Sequence, residues 1–238
     1  MFTSCRKLTV FAYILTMFSL NAQDSGGTLA PKYSNEFLAI GIGADALGMG
    51  NAVAAQTDNV NSGYWNPAGL TQVDKWLEVG LMHSEYFAGI AKYDYAGFAT
   101  FVADNTAVVS ASVIRFGVDD IPDTRFLYDA NGALNYNNIQ FFNAADYALM
   151  LSYARDVSDV FKIGFNGKVI HRNVGKFAQA WGFGMDVGGI FLLEQWRFGF
   201  MLRDITTTFN AWFHNADLVR DIYAQTNNQI PVNSIELT

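Results

Sequence analysis

Apolar and polar residues alternate with a period of two through the second half of the chain. From Phe161 one set of alternate positions is mostly apolar and the other mostly polar. The first set is Phe161, Ile163, Phe165, Gly167 and Val169, and the second is Lys162, Gly164, Asn166, Lys168, Ile170 and Arg172. Successive side chains of a β-strand point to opposite faces, so this pattern predicts a strand with two unlike faces.

The same alternation predicts further strands at residues 147–153, 181–191 and 196–203. Three earlier segments, residues 77–85, 90–103 and 107–116, alternate less cleanly but are also typical of strands. Residues 231–238 resemble the start of one more. The chain is therefore predicted to be all-β, with about seven strands and the beginning of an eighth between residues 76 and 238.

Composition suggests what surrounds these strands. The chain is 51% hydrophobic and 15% aromatic but only 16% charged, whereas soluble domains carry about 25% charged residues. Aromatic-rich strands with so little charge favour a transmembrane antiparallel β-barrel, with the apolar set facing lipid. The polar set would then face the lumen: Lys162, Asn166, Lys168, Arg172, Asp186, Arg197 and Arg203. A soluble sandwich with one buried face is the alternative.

The first 22 residues have the layout of a signal peptide. Arg6 and Lys7 precede an apolar stretch at residues 8–20, and a cleavage site is expected after Ala22. Without Arg6 and Lys7, 13 basic and 22 acidic residues remain, a net charge of −9, which argues against a nucleic-acid partner. The single cysteine, Cys5, is lost with the signal, so disulfides, zinc-thiolate sites and thiol chemistry are excluded.

Between the signal and the strands, residues 23–75 are predicted to form a non-barrel segment. Small residues are frequent from Gly41 to Gly50, and the segment ends in the sequence Trp65-Asn66-Pro67-Ala68-Gly69-Leu70, called here the corner. Small residues allow backbone to lie close to backbone, and Asn-Pro followed by glycine favours a sharp turn. The segment could plug the barrel from the periplasmic side, although an ordinary surface loop fits the same residues.

This segment resembles the N-terminal signature of the PorV/PorQ family of Bacteroidetes outer-membrane proteins, a branch of the FadL-like barrels. The family pattern has glycines, a Met-Gly pair and a Trp-Asn-Pro-Ala-Gly-Leu corner before the first strand. The matching residues are Gly41, Gly43, Met49, Gly50, Asp58, Trp65, Asn66, Pro67, Ala68, Gly69 and Leu70, whereas Asn51 replaces a usual glycine. Weaker similarity continues at residues 83–86 and 151–155.

The resemblance implies a FadL-like transmembrane barrel with an N-terminal plug or hatch, and relatives with fourteen strands. Because residues 231–238 are too short for a full span, the chain is expected to be the N-terminal portion of such a barrel or a truncated product. The resemblance also implies a role in the type IX secretion system. Family members accept exported proteins by their C-terminal sorting domains at the translocon and pass them to the surface attachment complex.

Loop lengths predict the orientation of the barrel. Short connections are expected at residues 103–106, 156–159 and 194–195, and long ones at residues 117–143 and 204–231. Bacterial barrels place short turns in the periplasm, so the mature N-terminus is predicted to be periplasmic. The long loops, rich in aromatic residues and asparagine, are candidates for protein recognition.

No cofactor or metal is expected, and the protein is predicted not to be an enzyme. His83, His171 and His214 lack metal-ligand spacing, and Ser84 points away from His83 on a strand. Asp119, Asp120 and Asp123 could hold calcium weakly, although a solvated acidic loop explains them too. The alternative function is a FadL-like outer-membrane channel for hydrophobic compounds, with residues 41–70 as a movable hatch.

Overall fold

The computed structural model describes residues 35–102, 106–125, 127, 133–206, 209–215, 218 and 235–237. The predicted signal peptide, residues 1–22, and residues 23–34 lie outside the described residues. The described chain is mostly antiparallel β-sheet, curled into a half-barrel, with few helical turns. The all-β prediction is confirmed.

The sheet contains nine hydrogen-bonded strands within the described residues. They are β1 (Leu77–Tyr86), β2 (Ala91–Val102), β3 (Ala107–Asp123), β4 (Gln140–Ser158), β5 (Phe161–Val174), β6 (Ala178–Leu193), β7 (Trp196–Leu202), β8 (Phe209–His214) and β9 (Ile235–Leu237). Each strand from β1 to β6 pairs with the next strand in the chain, and β8 pairs with β9. All of these pairings are antiparallel.

Strands β7 and β8 occupy one position in the sheet, because both pair with β6 on the same side. β7 pairs with the second half of β6, from Val187 to Leu193, and β8 pairs with the first half, from Ala178 to Phe183. Between them the chain leaves the ladder, with Asp204 at φ +54°. A hydrogen bond from the amide of Ile205 to the carbonyl of Met185 bridges the break (2.9 Å). The nine strands therefore fill eight positions.

Two of the loops are shorter than the sequence predicts. The prediction of a single loop at residues 204–231 is wrong for Phe209–His214, because these residues form β8 and pair with the first half of β6. The loop expected at residues 117–143 is wrong at both ends, since β3 continues to Asp123 and β4 starts at Gln140. A bulge between Val118 and Ile121 keeps these extensions paired, because it absorbs one extra residue of β3.

Residues 35–75, called here the inner segment, lie on the concave face of the curled sheet. The segment contains short α-helices at Ala44–Gly48 and Ser62–Trp65, and 3-10 turns at Glu36–Ala39 and Pro67–Gln72. Its apolar side chains share one core with concave residues of four strands; the shared core is Phe37, Leu38, Ile42, Ala46, Val53, Tyr64 and Trp65 with Tyr93, Tyr95, Ile114, Ala148, Met150 and Ile170. Only the inside of the curl lets one segment reach all these strands.

Among the helices of the described residues, none is both long enough and apolar enough to cross a membrane.

Candidate functional site

The corner is fixed to the concave face by the side chain of Asn66. This asparagine is fully buried, and its Nδ2 donates to the carbonyl oxygens of Ala54 (2.6 Å), Gly189 (3.3 Å) and Phe200 (3.4 Å). Its Oδ1 accepts the amide of Ala68 (3.1 Å), which caps the 3-10 turn that starts at Pro67. One side chain therefore connects the inner segment to β6 and β7.

Three concave glycines form the surface against which the corner and its neighbours pack; we call Gly164, Gly188 and Gly199 the glycine seat. A Cβ on Gly164 would overlap Pro67 and Ala68, and one on Gly188 would overlap Asn66. A Cβ on Gly199 would overlap the backbone of Ala54 and Ala55. Gly164 and Gly188 are directly paired in β5 and β6. The absence of side chains at these positions lets the inner segment lie directly against the backbone of the strands.

Tyr64 and Trp65 hold the start of the corner to the first turns of the inner segment. The indole Nε1 of Trp65 donates to the carbonyl of Ile42 (2.9 Å), and the hydroxyl of Tyr64 donates to the carbonyl of Leu38. The two rings meet edge to face, with centroids 4.8 Å apart. Burial raises the pKa of Tyr64, so its hydroxyl stays protonated and able to donate.

The other residues of the predicted plug motif divide into two groups. Gly41 (φ +99°) lies against the ring of Trp65, and the amide of Gly43 (φ +83°) donates to the sulfur of Met82 (3.2 Å). Pro67 and Gly69 are buried within the corner. Met49 is 42% exposed, and a Cβ added to Gly50 would meet no atom within 4 Å. The structure brings Gly41 to the corner and Gly43 to β1, but it leaves the Met-Gly pair away from both.

A buried ionic network lies beside the corner on the concave face. The ammonium of Lys168 contacts the carboxylates of Asp186 (2.8 Å) and Asp204 (2.7 Å), and the side chain of Lys168 is only 4% exposed. Asp186 also accepts from Nδ2 of Asn166 (3.2 Å) and from the amide of Asp204 (2.8 Å). A buried charge is costly unless it is paired and hydrogen-bonded, and these contacts meet that need.

The network continues to the inner segment through Ser152 of β4. The hydroxyl of Ser152 lies 3.1 Å from Oδ1 of Asn166 and 3.4 Å from the carbonyl of Gly63. A chain of polar contacts thus runs from the break between β7 and β8, across β6, β5 and β4, to the inner segment.

Three further predicted lumen residues also have partners among the described residues. Arg172 makes a two-pronged contact with Asp146 (2.8 and 2.9 Å), and Lys162 contacts Asp156 (2.7 Å). Arg197 donates to the side-chain oxygen of Gln72. These partners are two carboxylates on β4 and one amide on the inner segment.

Arg203 lies over the corner rather than in the ionic network. Its Nη2 donates to the carbonyl of Tyr64 (3.3 Å), and its guanidinium lies 5.1 Å from the ring centre of Tyr64 and 5.6 Å from that of Trp65. Such stacking is a cation–π interaction. A half-open cavity of about 210 Å³ lies between Arg203, the ionic network and the first turn of the inner segment.

Sequence reasoning missed several of these partners. Asp146, Ser152 and Asp156 share the parity of the concave residues on β4. Ser152 already lies within the alternating stretch at residues 147–153, and extending that alternation in both directions would have found Asp146 and Asp156. Asp204 gave no such signal, because it lies where the strand pattern is broken.

The convex face has a different composition. Cross-strand register places its side chains in rows, and three successive rows between β1 and β7 contain no charged residue. We call these rows the apolar belt: Leu81, Ala96, Val113, Leu149, Val169 and Phe183; Val79, Phe98, Ala111, Leu151, Gly167 and Met185; and Leu77, Thr100, Val109, Tyr153, Phe165, Val187 and Leu202. Leu81 is 80% exposed and Leu151 58%.

A polar and aromatic row borders the apolar belt on one side; we call it the girdle row. Register aligns its six residues across β1 to β6: His83, Asp94, Arg115, Tyr147, His171 and Trp181. Asp94 contacts His83 (2.6 Å) and Arg115 (3.3 Å), and the rings of His171 and Trp181 lie 4.3 Å apart. On the other side of the belt β4 presents the exposed Arg155.

The described residues offer no candidate metal centre: no group of three or more His, Cys, Asp or Glu side chains is placed to hold an ion. His214 stacks on Trp212. Asp119 contacts Lys92 (3.1 Å) and Arg115 (3.3 Å), whereas Asp123 pairs with Arg125. The three aspartates considered for calcium are thus spread along β3 rather than gathered in a loop.

No protein-family model matches this chain, and no curated protein matches it.

Proposed function

We propose that the protein is a transmembrane β-barrel component of the bacterial outer membrane, FadL-like in fold and related to the PorV/PorQ family. The observation that carries the proposal is the apolar belt. On a sheet surface that faces water, the outward positions are normally polar or charged. Three uncharged rows made mostly of aliphatic and aromatic side chains suit lipid instead.

The dimensions of the belt support the same environment. Tyr147 in the girdle row and Arg155 beyond the belt are eight residues apart on β4, which corresponds to about 27 Å along a strand. At the usual tilt of about 35–45° this is about 20 Å along the membrane normal, near the apolar band of about 25 Å in known barrels. The girdle row has the aromatic and polar character expected where lipid headgroups begin.

Membrane fractionation tests this first step. The protein should remain with the outer membrane after carbonate washing and should need detergent for extraction. Recovery of the full chain in the soluble fraction would contradict the proposal, and an inner-membrane lipoprotein serves as the control for contamination.

The proposed role is that of a type IX secretion component that binds exported proteins through their C-terminal sorting domain and passes them to the surface attachment complex. The corner and its resemblance to the PorV/PorQ signature support this role. The corner is also bonded to β6 and β7 through Asn66. This favours a fixed internal plug with protein recognition at the strand ends and loops.

Gene deletion tests the secretion role separately. Proteins with a sorting domain should accumulate in the periplasm of the deletion strain and return to the surface when the gene is restored. Normal secretion in the deletion strain would refute this role while leaving the membrane assignment intact.

A second candidate, the FadL-like channel for hydrophobic compounds, is favoured by the break between β7 and β8. An apolar hollow of about 560 Å³ lies on the convex face beside this break, lined by Leu149, Leu151, Val169, Phe183 and Met185 among others. Lys168 lines both this hollow and the inner cavity. A hydrophobic compound co-purifying with the protein, together with slower uptake of that compound by the deletion strain, would support this candidate.

A further inference from the structure

The half-open cavity above the ionic network has hydrogen-bonding capacity that the described residues do not use. Asn35, at the start of the inner segment, is 6% exposed and lines the cavity. Neither its Nδ2 nor its Oδ1 has a hydrogen-bond partner among those residues. Buried amides are nearly always bonded to protein or water, so this asparagine offers the cavity one donor and one acceptor that a small molecule can use.

The ionisable groups of the cavity differ in how much of their hydrogen-bonding capacity is used by other residues. Asp186 accepts three hydrogen bonds, from Lys168, Asn166 and the amide of Asp204. Arg203 is described with one hydrogen bond, to the carbonyl of Tyr64, although a guanidinium has five N–H donors. Glu36 lines the cavity and is exposed. Arg203 and Glu36 therefore present a positive and a negative group to an incoming molecule.

The charge of the wall limits the ligand further. Two cations, Lys168 and Arg203, and three carboxylates, Glu36, Asp186 and Asp204, line the cavity, so its formal charge is −1. A simple anion would be repelled by this net negative charge, and a simple cation would be repelled by the guanidinium of Arg203. A molecule with both signs avoids each repulsion. Leu38, Ala39 and Met150 supply an apolar part of the wall for a small aliphatic group.

We propose that this cavity binds a small zwitterion of the α-amino-acid class. The carboxylate accepts from Arg203 and from Nδ2 of Asn35, and the ammonium donates to Glu36 and to Oδ1 of Asn35. A planar guanidinium suits a carboxylate, since it can donate two parallel hydrogen bonds. This site goes beyond the proposed membrane and secretion roles and does not depend on them.

Isothermal titration of the purified full chain in detergent tests the proposal with three matched probes. L-leucine carries both charges, 4-methylpentanoate lacks its ammonium, and 3-methylbutylamine lacks its carboxylate. We expect saturable binding of L-leucine and at least tenfold weaker binding of each analogue. Equal affinity for 4-methylpentanoate, or no saturable binding of any probe, would overturn the assignment.

Two variants locate the site. Arg203→Gln should lower the affinity for L-leucine at least tenfold. Because Arg203 also packs on Tyr64 and Trp65, a folding defect in this variant would lower the affinity too. Glu36→Gln changes an exposed side chain and leaves the packing intact. It should reduce the preference for L-leucine over 4-methylpentanoate at least threefold, and an unchanged preference would overturn the proposal. Loss of the membrane location would leave these outcomes unaffected, so the two failures are distinguishable.

Discussion

The two faces of the sheet are built from the same strands but have opposite chemistry. On the concave face glycines, ion pairs and buried aromatic rings meet the inner segment, and polar atoms such as those of Asn66 and Asp186 have partners. On the convex face large apolar side chains are exposed, and no described segment of the chain covers them. The sheet therefore packs against protein on its concave side and leaves an uncharged apolar surface on its convex side.

Removing the central cation of the concave face should have the largest effect. Lys168→Met leaves the carboxylate of Asp186 buried without its ammonium partner, so we expect the free energy of unfolding to fall by about 3–5 kcal/mol. Denaturant unfolding of the refolded protein measures it. Lys162→Met, which removes an ion pair with the half-exposed Asp156, is the matched control and should cost less than about 1 kcal/mol. Equal costs would show that burial of the carboxylate partner, which is 3% exposed for Asp186 and 51% for Asp156, does not decide the cost.

Placing a charge in the apolar belt tests the convex face. Leu151→Arg should cost about 2–4 kcal/mol in a lipid bilayer, because the middle of the belt would lie near the bilayer midplane. His83→Arg in the girdle row is the control, with a cost of about 0–1 kcal/mol near the interface. Unfolding measured in liposomes gives both values. A negligible cost for Leu151→Arg would indicate that water, rather than lipid, surrounds the belt.

Two glycines on opposite faces give the smallest and most closely matched contrast. A Cβ on Gly188 would overlap Asn66, whereas a Cβ on Gly167 would meet nothing within 4 Å. Gly188→Ala should therefore cost about 1–3 kcal/mol by overpacking the glycine seat, and Gly167→Ala should change stability by less than about 0.5 kcal/mol. Limited proteolysis of the inner segment provides a second measurement, since unseating the corner should expose it. Similar results for both variants would mean that the corner does not need the seat.

Much of this contrast was readable from the sequence where the alternation was regular. Lys162, Asn166, Lys168, Arg172 and Asp186 lie on one face of β5 and β6, as their spacing predicts, and Phe165 and Phe183 lie on the other. Gly164 of the glycine seat was visible as a member of the polar set, but its purpose was not. Its role depends on the backbone of Pro67 and Ala68, which lies about a hundred residues away in the chain.

The break between β7 and β8 could not be predicted for a related reason. Residues 209–214 follow a short irregular stretch and carry too few positions for the period of two to stand out. They form a strand because the backbone N–H and C=O groups along the first half of β6 need hydrogen-bond partners on that side. The girdle row was equally hidden, since its members are spread from His83 to Trp181 and meet only through strand register.

The sequence by itself determined that this chain is a β protein with two unlike faces, because side-chain direction along a strand alternates residue by residue and is a local property. The tertiary structure alone decided which residues meet: Asn66 with Gly188, Lys168 with Asp204, and Arg203 with Tyr64. Those contacts depend on the curl of the sheet and on cross-strand register, which arise from pairing between distant segments and leave no periodic trace in the chain.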